Sequence, residues 1–67
     1  MSILKAIGRK IALVRHQRKM TQEDLAGDAE INRAFLSNIE NGRANFTIEM
    51  LVKISKALKV NPKELFD

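Results

Sequence analysis

The chain has 67 residues, no cysteine and a formal net charge of +4. This length allows one domain with one small core, since a chain of this size buries only about 60% of its unfolded surface. The absence of cysteine excludes the disulfides and cysteine-ligated zinc sites that stabilise many small folds. Residues 1–22 carry six of the twelve Lys and Arg residues and no acid, so this end either attracts polyanions or forms a solvated basic face.

The hydropathy pattern gives no sign of a membrane segment. No stretch approaches the roughly 18 consecutive apolar residues of a transmembrane helix, and the first residues lack the basic, apolar and small-residue order of a signal peptide. We therefore expect a cytoplasmic protein without a membrane partner.

Two amphipathic helices are predicted in the first part of the chain. The first ends around the polar stretch 16–19, and its apolar residues recur at helical spacing: Leu4, Ile7, Ile11 and Val14. The second begins at Thr21, a good N-cap, with Asp24 in the position of the capping-box acid, and it runs to about Ala29.

The third predicted helix follows after a very short connection. Asn32 can cap it, Leu36 and Ile39 are its apolar residues, and Asn41-Gly42 ends it with a left-handed residue. Because only a sharp turn fits between the second and third helices, residues 21–41 predict a helix-turn-helix.

Two more helices are predicted towards the C-terminus. Thr47 can cap the fourth, which ends near Lys59 and keeps the helical period with Ile48, Leu51, Ile54 and Leu58. The stretch Asn61-Pro62-Lys63-Glu64 has the order of N-cap, first-turn proline and capping acid, so a short fifth helix carries Leu65 and Phe66. No segment reads as a strand, and the predicted fold is a single all-α domain of five helices over residues 1–67.

The motif from Gln22 to Asn41 resembles the lambda-repressor-like (Cro and XRE) family of helix-turn-helix proteins. The residues that carry the resemblance are Gln22, Leu25-Ala26, Ile31, Leu36, Ile39 and the run Glu40 to Gly42. The tail from residue 45 to 66 is similar to the family's fourth and fifth helices. Among its branches, the chain most resembles the small controller proteins of restriction-modification systems, whose third helix often begins as Arg33-Ala34-Phe35 does here.

The resemblance implies a transcriptional regulator whose third helix enters the major groove of double-stranded DNA. Arg33 would bind guanine O6 and N7, and Asn32 or Asn38 would pair with adenine. Ala34 and Ser37 would share that face. Two alternatives stay open: Asn32 is an N-cap with or without a base contact, and Phe35 lies either at the rim of the core or against a thymine methyl group.

Phosphate contacts are expected on both sides of the third helix. Gln22 resembles the family's phosphate-binding glutamine, and Arg43 is the next candidate. Asn41 either contacts a phosphate or is a helix-end residue that tolerates left-handed geometry. Arg9, Arg18 and Lys19 add long-range attraction or are solvated charges.

Three structural expectations also follow from the resemblance. Arg15 and Glu40 occupy positions that often form an ion pair between the first and third helices. Glu30 stands where the family usually has glycine, and a positive φ there would cost about 1 kcal/mol. A homodimer on an inverted-repeat operator is expected, with apolar candidates for its interface in the fourth and fifth helices: Val60, Leu65 and Phe66.

Other function classes receive less support from the residues. The single histidine, His16, lies among basic residues without a nearby nucleophile or paired acid, so we expect no enzyme, and neither a cofactor, a metal nor a small-molecule ligand. A protein-interaction or antitoxin-type module on the same fold is the main alternative. A membrane-surface role for the basic first helix lacks an aromatic anchor.

Overall fold

The computed structural model describes residues 2–66 as four α-helices followed by one 3-10 turn. The helices are α1 (Ile3–Gln17), α2 (Gln22–Ala29), α3 (Arg33–Glu40) and α4 (Ile48–Leu58), and the 3-10 turn spans Pro62–Leu65. Over the described residues there is no strand. The all-α fold and the helix-turn-helix of α2 and α3 agree with the sequence-based prediction.

Side-chain caps start these helices where the sequence predicted them. The side chains of Thr21, Asn32, Thr47 and Asn61 each accept a hydrogen bond from a backbone N–H in the first turn that follows. Ser2 caps α1 in the same way, which the sequence pattern did not predict. At Thr21 the capping box is complete: the Thr21 N–H donates to the Asp24 carboxylate at 3.0 Å and lowers the pKa of that carboxyl, with a further contribution from the Thr21 side chain.

The segment that the sequence predicts as a fifth helix forms a single 3-10 turn. Its bonds join residues three apart, from Glu64 N–H to Asn61 O at 2.9 Å and from Phe66 N–H to Lys63 O at 3.1 Å. A segment of four residues is too short to propagate an α-helix, and Pro62 contributes no N–H. The turn therefore serves mainly to bring Leu65 against the helices.

The core lies between all of these elements. α1 packs on α3, α2 packs on α3 and α4, and the 3-10 turn packs on α1 and α4. The fully enclosed apolar side chains are Ile11, Leu25, Leu36, Ile39, Ile54 and Leu58. Leu65 is 1% exposed and belongs to this core. The prediction of Leu65 as a dimer contact is therefore wrong for this fold, because its apolar surface is already buried within the monomer.

Glycine allows α1 to approach α3 unusually closely. A Cβ atom on Gly8 would collide with the carbonyl oxygen of Ile39 and would also crowd the Glu40 backbone. Gly27 in α2 is the opposite case, since a Cβ there would meet no atom. The absence of a side chain at Gly8 therefore lets the backbones of α1 and α3 pack closely here.

Three turns carry a left-handed residue other than glycine. Lys19, Glu30 and Lys59 have φ angles of 58°, 59° and 61°, and Gly42 has 72°. Glu30 therefore keeps the left-handed turn between α2 and α3, a point that the sequence left open, although its side chain disfavours that conformation.

We predict that Glu30→Gly raises the free energy of unfolding by up to about 1 kcal/mol, because glycine adopts positive φ without steric cost and this gain exceeds its larger chain entropy. Denaturant melts of the two proteins measure the change. A clear loss of stability would show that the Glu30 side chain makes a stabilising contact.

Candidate nucleic-acid interface

The exposed side of α3 is polar, while its opposite side is completely buried. Leu36 and Ile39 are 0% exposed and lock the helix into the core. The outward side presents a guanidinium, a methyl, a hydroxyl and an amide, from Arg33, Ala34, Ser37 and Asn38. These groups can donate to and accept from base edges and can contact a thymine methyl group.

Two of the predicted base contacts have structural tasks. Asn32 caps α3, and its side-chain oxygen accepts the Phe35 N–H at 3.1 Å. Its amide NH₂ stays exposed, so a contact to DNA is compatible with the cap. Phe35 is half-buried and packs against the core. Of the two alternatives for this side chain, a place at the rim of the core is therefore favoured over a contact with a thymine methyl group.

The end of α3 differs from the expectation for Asn41. Asn41 has a φ of −93°, so Gly42 provides the left-handed residue and Asn41 does not. The Asn41 side-chain amide donates to the Ser37 carbonyl at 2.8 Å, which caps the helix end. Arg43 follows with an exposed side chain, while its backbone N–H donates to Asn38 O at 2.8 Å.

A buried polar network joins α1, α2 and α3. The Arg15 guanidinium donates to both carboxylate oxygens of Glu40, at 2.8 and 3.0 Å, and to the Met20 carbonyl at 2.9 Å. The Gln22 amide adds a hydrogen bond to Glu40 at 3.1 Å. Only 9% and 5% of the Arg15 and Glu40 side chains are exposed. The network fixes the start of α2 against the end of α3, and it occupies one of the Gln22 donors that was expected to face a phosphate.

Basic side chains from α1 and from the turn after it lie at both ends of α3. Lys5 and Arg9 line a cleft together with Asn41 at its C-terminal end. His16 and Lys19 line a cleft with Arg33 at its N-terminal end. The i, i+4 spacing of Lys5 and Arg9 places them on one side of α1, but only the packing of α1 on α3 shows which element that side adjoins.

Other kinds of site have no support in the part of the chain that the structure describes. Across residues 2–66, no three His, Cys, Asp or Glu side chains are grouped as metal ligands would be. The same residues form no helix with the length and apolar character needed to span a bilayer.

Comparison with known proteins places these features in a family. Residues 8–67 match the family described as Helix-turn-helix domain. The chain belongs to this helix-turn-helix family of transcriptional regulators. Its resemblance to the lambda-repressor-like and XRE regulators, and within them to restriction-modification controllers, is thereby confirmed.

Two relatives of this helix-turn-helix chain carry the name of control protein. Control protein C.BamHI of Bacillus amyloliquefaciens is 41% identical over 61 residues, which are 90% of this chain and 75% of that protein. Control protein C.MunI of Mycoplasma sp is 35% identical over 60 residues, covering 88% and 81%. The crystal structure of the restriction-modification controller protein C.AhdI from Aeromonas hydrophila superposes with a TM-score of 0.92 at 28% identity, covering 94% of this chain and 96% of that one.

Proposed function

We propose that the protein is a sequence-specific double-stranded DNA-binding regulator that acts as the controller of a restriction-modification system. It binds as a homodimer to an inverted-repeat operator, and each protomer inserts α3 into the major groove. The similarity to C.BamHI, C.MunI and C.AhdI supports the controller assignment.

The observation that carries this proposal is the division of α3 into two sides. Its apolar side is enclosed, whereas the polar groups of Arg33 and Asn38 are exposed and make no side-chain hydrogen bond to the described part of the chain. Leaving these groups free costs nothing in water, and their donors match the guanine and adenine edges in the major groove. The helix is held rigidly by the core and by Glu40, as direct base readout requires.

Selection of duplexes from a random pool tests the proposal directly. The expected product is one inverted repeat, with half-sites about one helical turn apart. In the genome that encodes this chain, the repeat should lie beside the genes of a restriction-modification system. Recovery of no enriched sequence, with binding no tighter than to random duplex, would contradict sequence-specific regulation.

We predict that Arg33→Ala and Arg43→Ala weaken binding in different ways. Arg33→Ala should reduce affinity by about 1 to 3 kcal/mol on the selected operator, much less on scrambled duplex, and relax the preference at one position per half-site. Arg43→Ala should weaken binding to both DNAs and reduce the slope of log affinity against log salt by about 0.9 for each phosphate that the variant no longer neutralises.

Titrations of both variants against both duplexes at several salt concentrations separate these roles. The two variants remove the same charge, so each is the control for the other. Equal losses on operator and scrambled DNA for Arg33→Ala would reassign it as a phosphate contact and leave Ser37 and Asn38 as the base-reading residues.

We predict a homodimer at micromolar concentration that depends on the C-terminal apolar surface. Phe66 is 56% exposed and Val60 is half-buried, and burying them in a twofold interface would add apolar area to a small core. Phe66→Ser should therefore shift sedimentation towards the monomer. Leu13→Ser, which removes a 50% exposed apolar side chain from α1, is the control. A wild-type chain that stays monomeric with and without operator would contradict the dimer.

A further inference from the structure

A basic cleft borders the N-terminal end of α3. It has a volume of about 730 Å³ and lies where the end of α1, the start of α2 and the start of α3 meet. Its charged and titratable lining residues are Arg15, His16, Lys19, Glu23 and Arg33.

Most of the positive charge in this cleft has no protein partner among residues 2–66. Arg15 is neutralised by Glu40, whereas the side chains of Lys19 and Arg33 make no hydrogen bond or ion pair with the described residues. Glu23 is the only acid in the lining. The cleft therefore keeps a net positive charge, even with a neutral imidazole at His16, and favours an anion.

His16 and Arg15, which both line the cleft, also contact each other. The His16 Nε2 atom lies 3.4 Å from Arg15 Nη2. A guanidinium only donates hydrogen bonds, so this contact requires an Nε2 that accepts, as in the neutral ring. A protonated ring cannot keep this hydrogen bond, and an anion in the cleft would offset its repulsion by the other positive charges of the lining.

The position of the cleft identifies that anion. Arg33, the proposed base-reading residue, lines the cleft and also stands on the exposed side of α3. Phosphates border the major groove on both sides, so a basic cleft directly beside the base-reading residue meets the DNA backbone. We propose that this cleft binds a DNA phosphate through His16 and Lys19, and that the contact strengthens when His16 is protonated. The proposal rests on the proposed function.

A pH titration of DNA affinity tests this proposal. The affinity for a mixed-sequence duplex is measured from about pH 5 to about pH 8 at constant ionic strength, the range in which histidine side chains commonly act as pH switches. Wild type should bind about two- to fivefold more tightly at the acid end, a factor expected for one solvent-exposed ion pair. The slope of log affinity against log salt should also be steeper there by about 0.9. His16→Gln should remove both pH effects.

The matched control is the double variant His16→Gln/Gln17→His, which moves the imidazole one residue along α1 and out of the cleft without changing composition. Its pH dependence should match that of His16→Gln, because the moved imidazole no longer lines the cleft. The α-amino group and all other titrating groups are common to both variants. Wild-type pH dependence in the double variant would show a general charge effect and overturn the proposal.

Lys19 and Lys59 provide a second pair, since both have positive φ shortly after the end of a helix but only Lys19 lines the cleft. Asparagine tolerates this backbone conformation. Lys19→Asn should weaken DNA binding at every pH and keep the pH dependence, whereas Lys59→Asn should have a smaller effect. Equal losses for the two variants would remove Lys19 from the site.

His16 is the only histidine in the sequence, so its ring resonances can be assigned without ambiguity in NMR spectra. Duplex DNA should shift these resonances, whereas inorganic phosphate at matched ionic strength should shift them much less. The reverse order would overturn a DNA phosphate as the ligand. A folded wild-type chain that binds no DNA would instead contradict the proposed function, so the two failures are distinguishable.

Discussion

Replacing Glu40 with alanine will lower the free energy of unfolding by about 3 to 5 kcal/mol. The change leaves the Arg15 guanidinium buried, with the Met20 carbonyl as its remaining backbone acceptor, and it deprives the Gln22 amide of its acceptor. Domains of this kind are stable by only about 5 to 15 kcal/mol, so the loss is a large share of the total. Urea melts at neutral pH measure it.

The control removes both charges together. Arg15→Met/Glu40→Leu should recover most of the lost stability, because replacing a whole buried ion pair with apolar side chains of similar volume is often nearly neutral. The double variant also separates the cost of an unpaired charge from the worth of the pair. A loss of no more than about 1 kcal/mol for Glu40→Ala would be typical of an exposed pair and would contradict a buried network.

Gly8→Ala is expected to destabilise the domain although it adds only one methyl group. The added Cβ would collide with the Ile39 carbonyl oxygen, and backbone atoms cannot move aside as a flexible side chain does. We expect a loss of about 1 to 3 kcal/mol from this overpacking. The displacement of α1 from α3 should also weaken operator binding of the folded fraction.

Gly27→Ala makes the same change where the Cβ meets no atom. It should stabilise the domain by about 0.5 to 1 kcal/mol, since glycine is unfavourable inside a helix. Thermal melts of the two variants should therefore move in opposite directions. A similar loss in both would mean that the cost at Gly8 arises from something other than its approach to α3.

The helices were predictable because their starts depend on local chemistry. Thr21, Asn32 and Thr47 cap through their own side chains within one turn, and the apolar residues between them follow the period of a single helix. The short final segment was harder, because a capping box and a proline precede an α-helix and a 3-10 turn alike. The burial of Leu65 depends on the packing of that turn against α1 and α4.

Only the part of the candidate site that lies on a single helix could be predicted from the sequence. The outward side of α3 follows from the positions of Leu36 and Ile39. The hydrogen bond from Gln22 to Glu40 joins α2 to α3, and His16 from α1 lines the same cleft as Arg33 from α3. Such contacts depend on how the helices cross, which periodicity does not encode. Family resemblance supplied the pairing of Arg15 with Glu40, which helical spacing alone would not have given.

Under the proposed function, the two-sided character of α3 has a consequence for how DNA preference changes in evolution. Leu36 and Ile39 are the α3 residues in the core, whereas Arg33, Ala34 and Asn38 are absent from it. A lineage can therefore exchange the outward residues one at a time while folding is preserved. Paralogues built on this scaffold can diverge to separate operators and coexist in one cell without occupying each other's promoters.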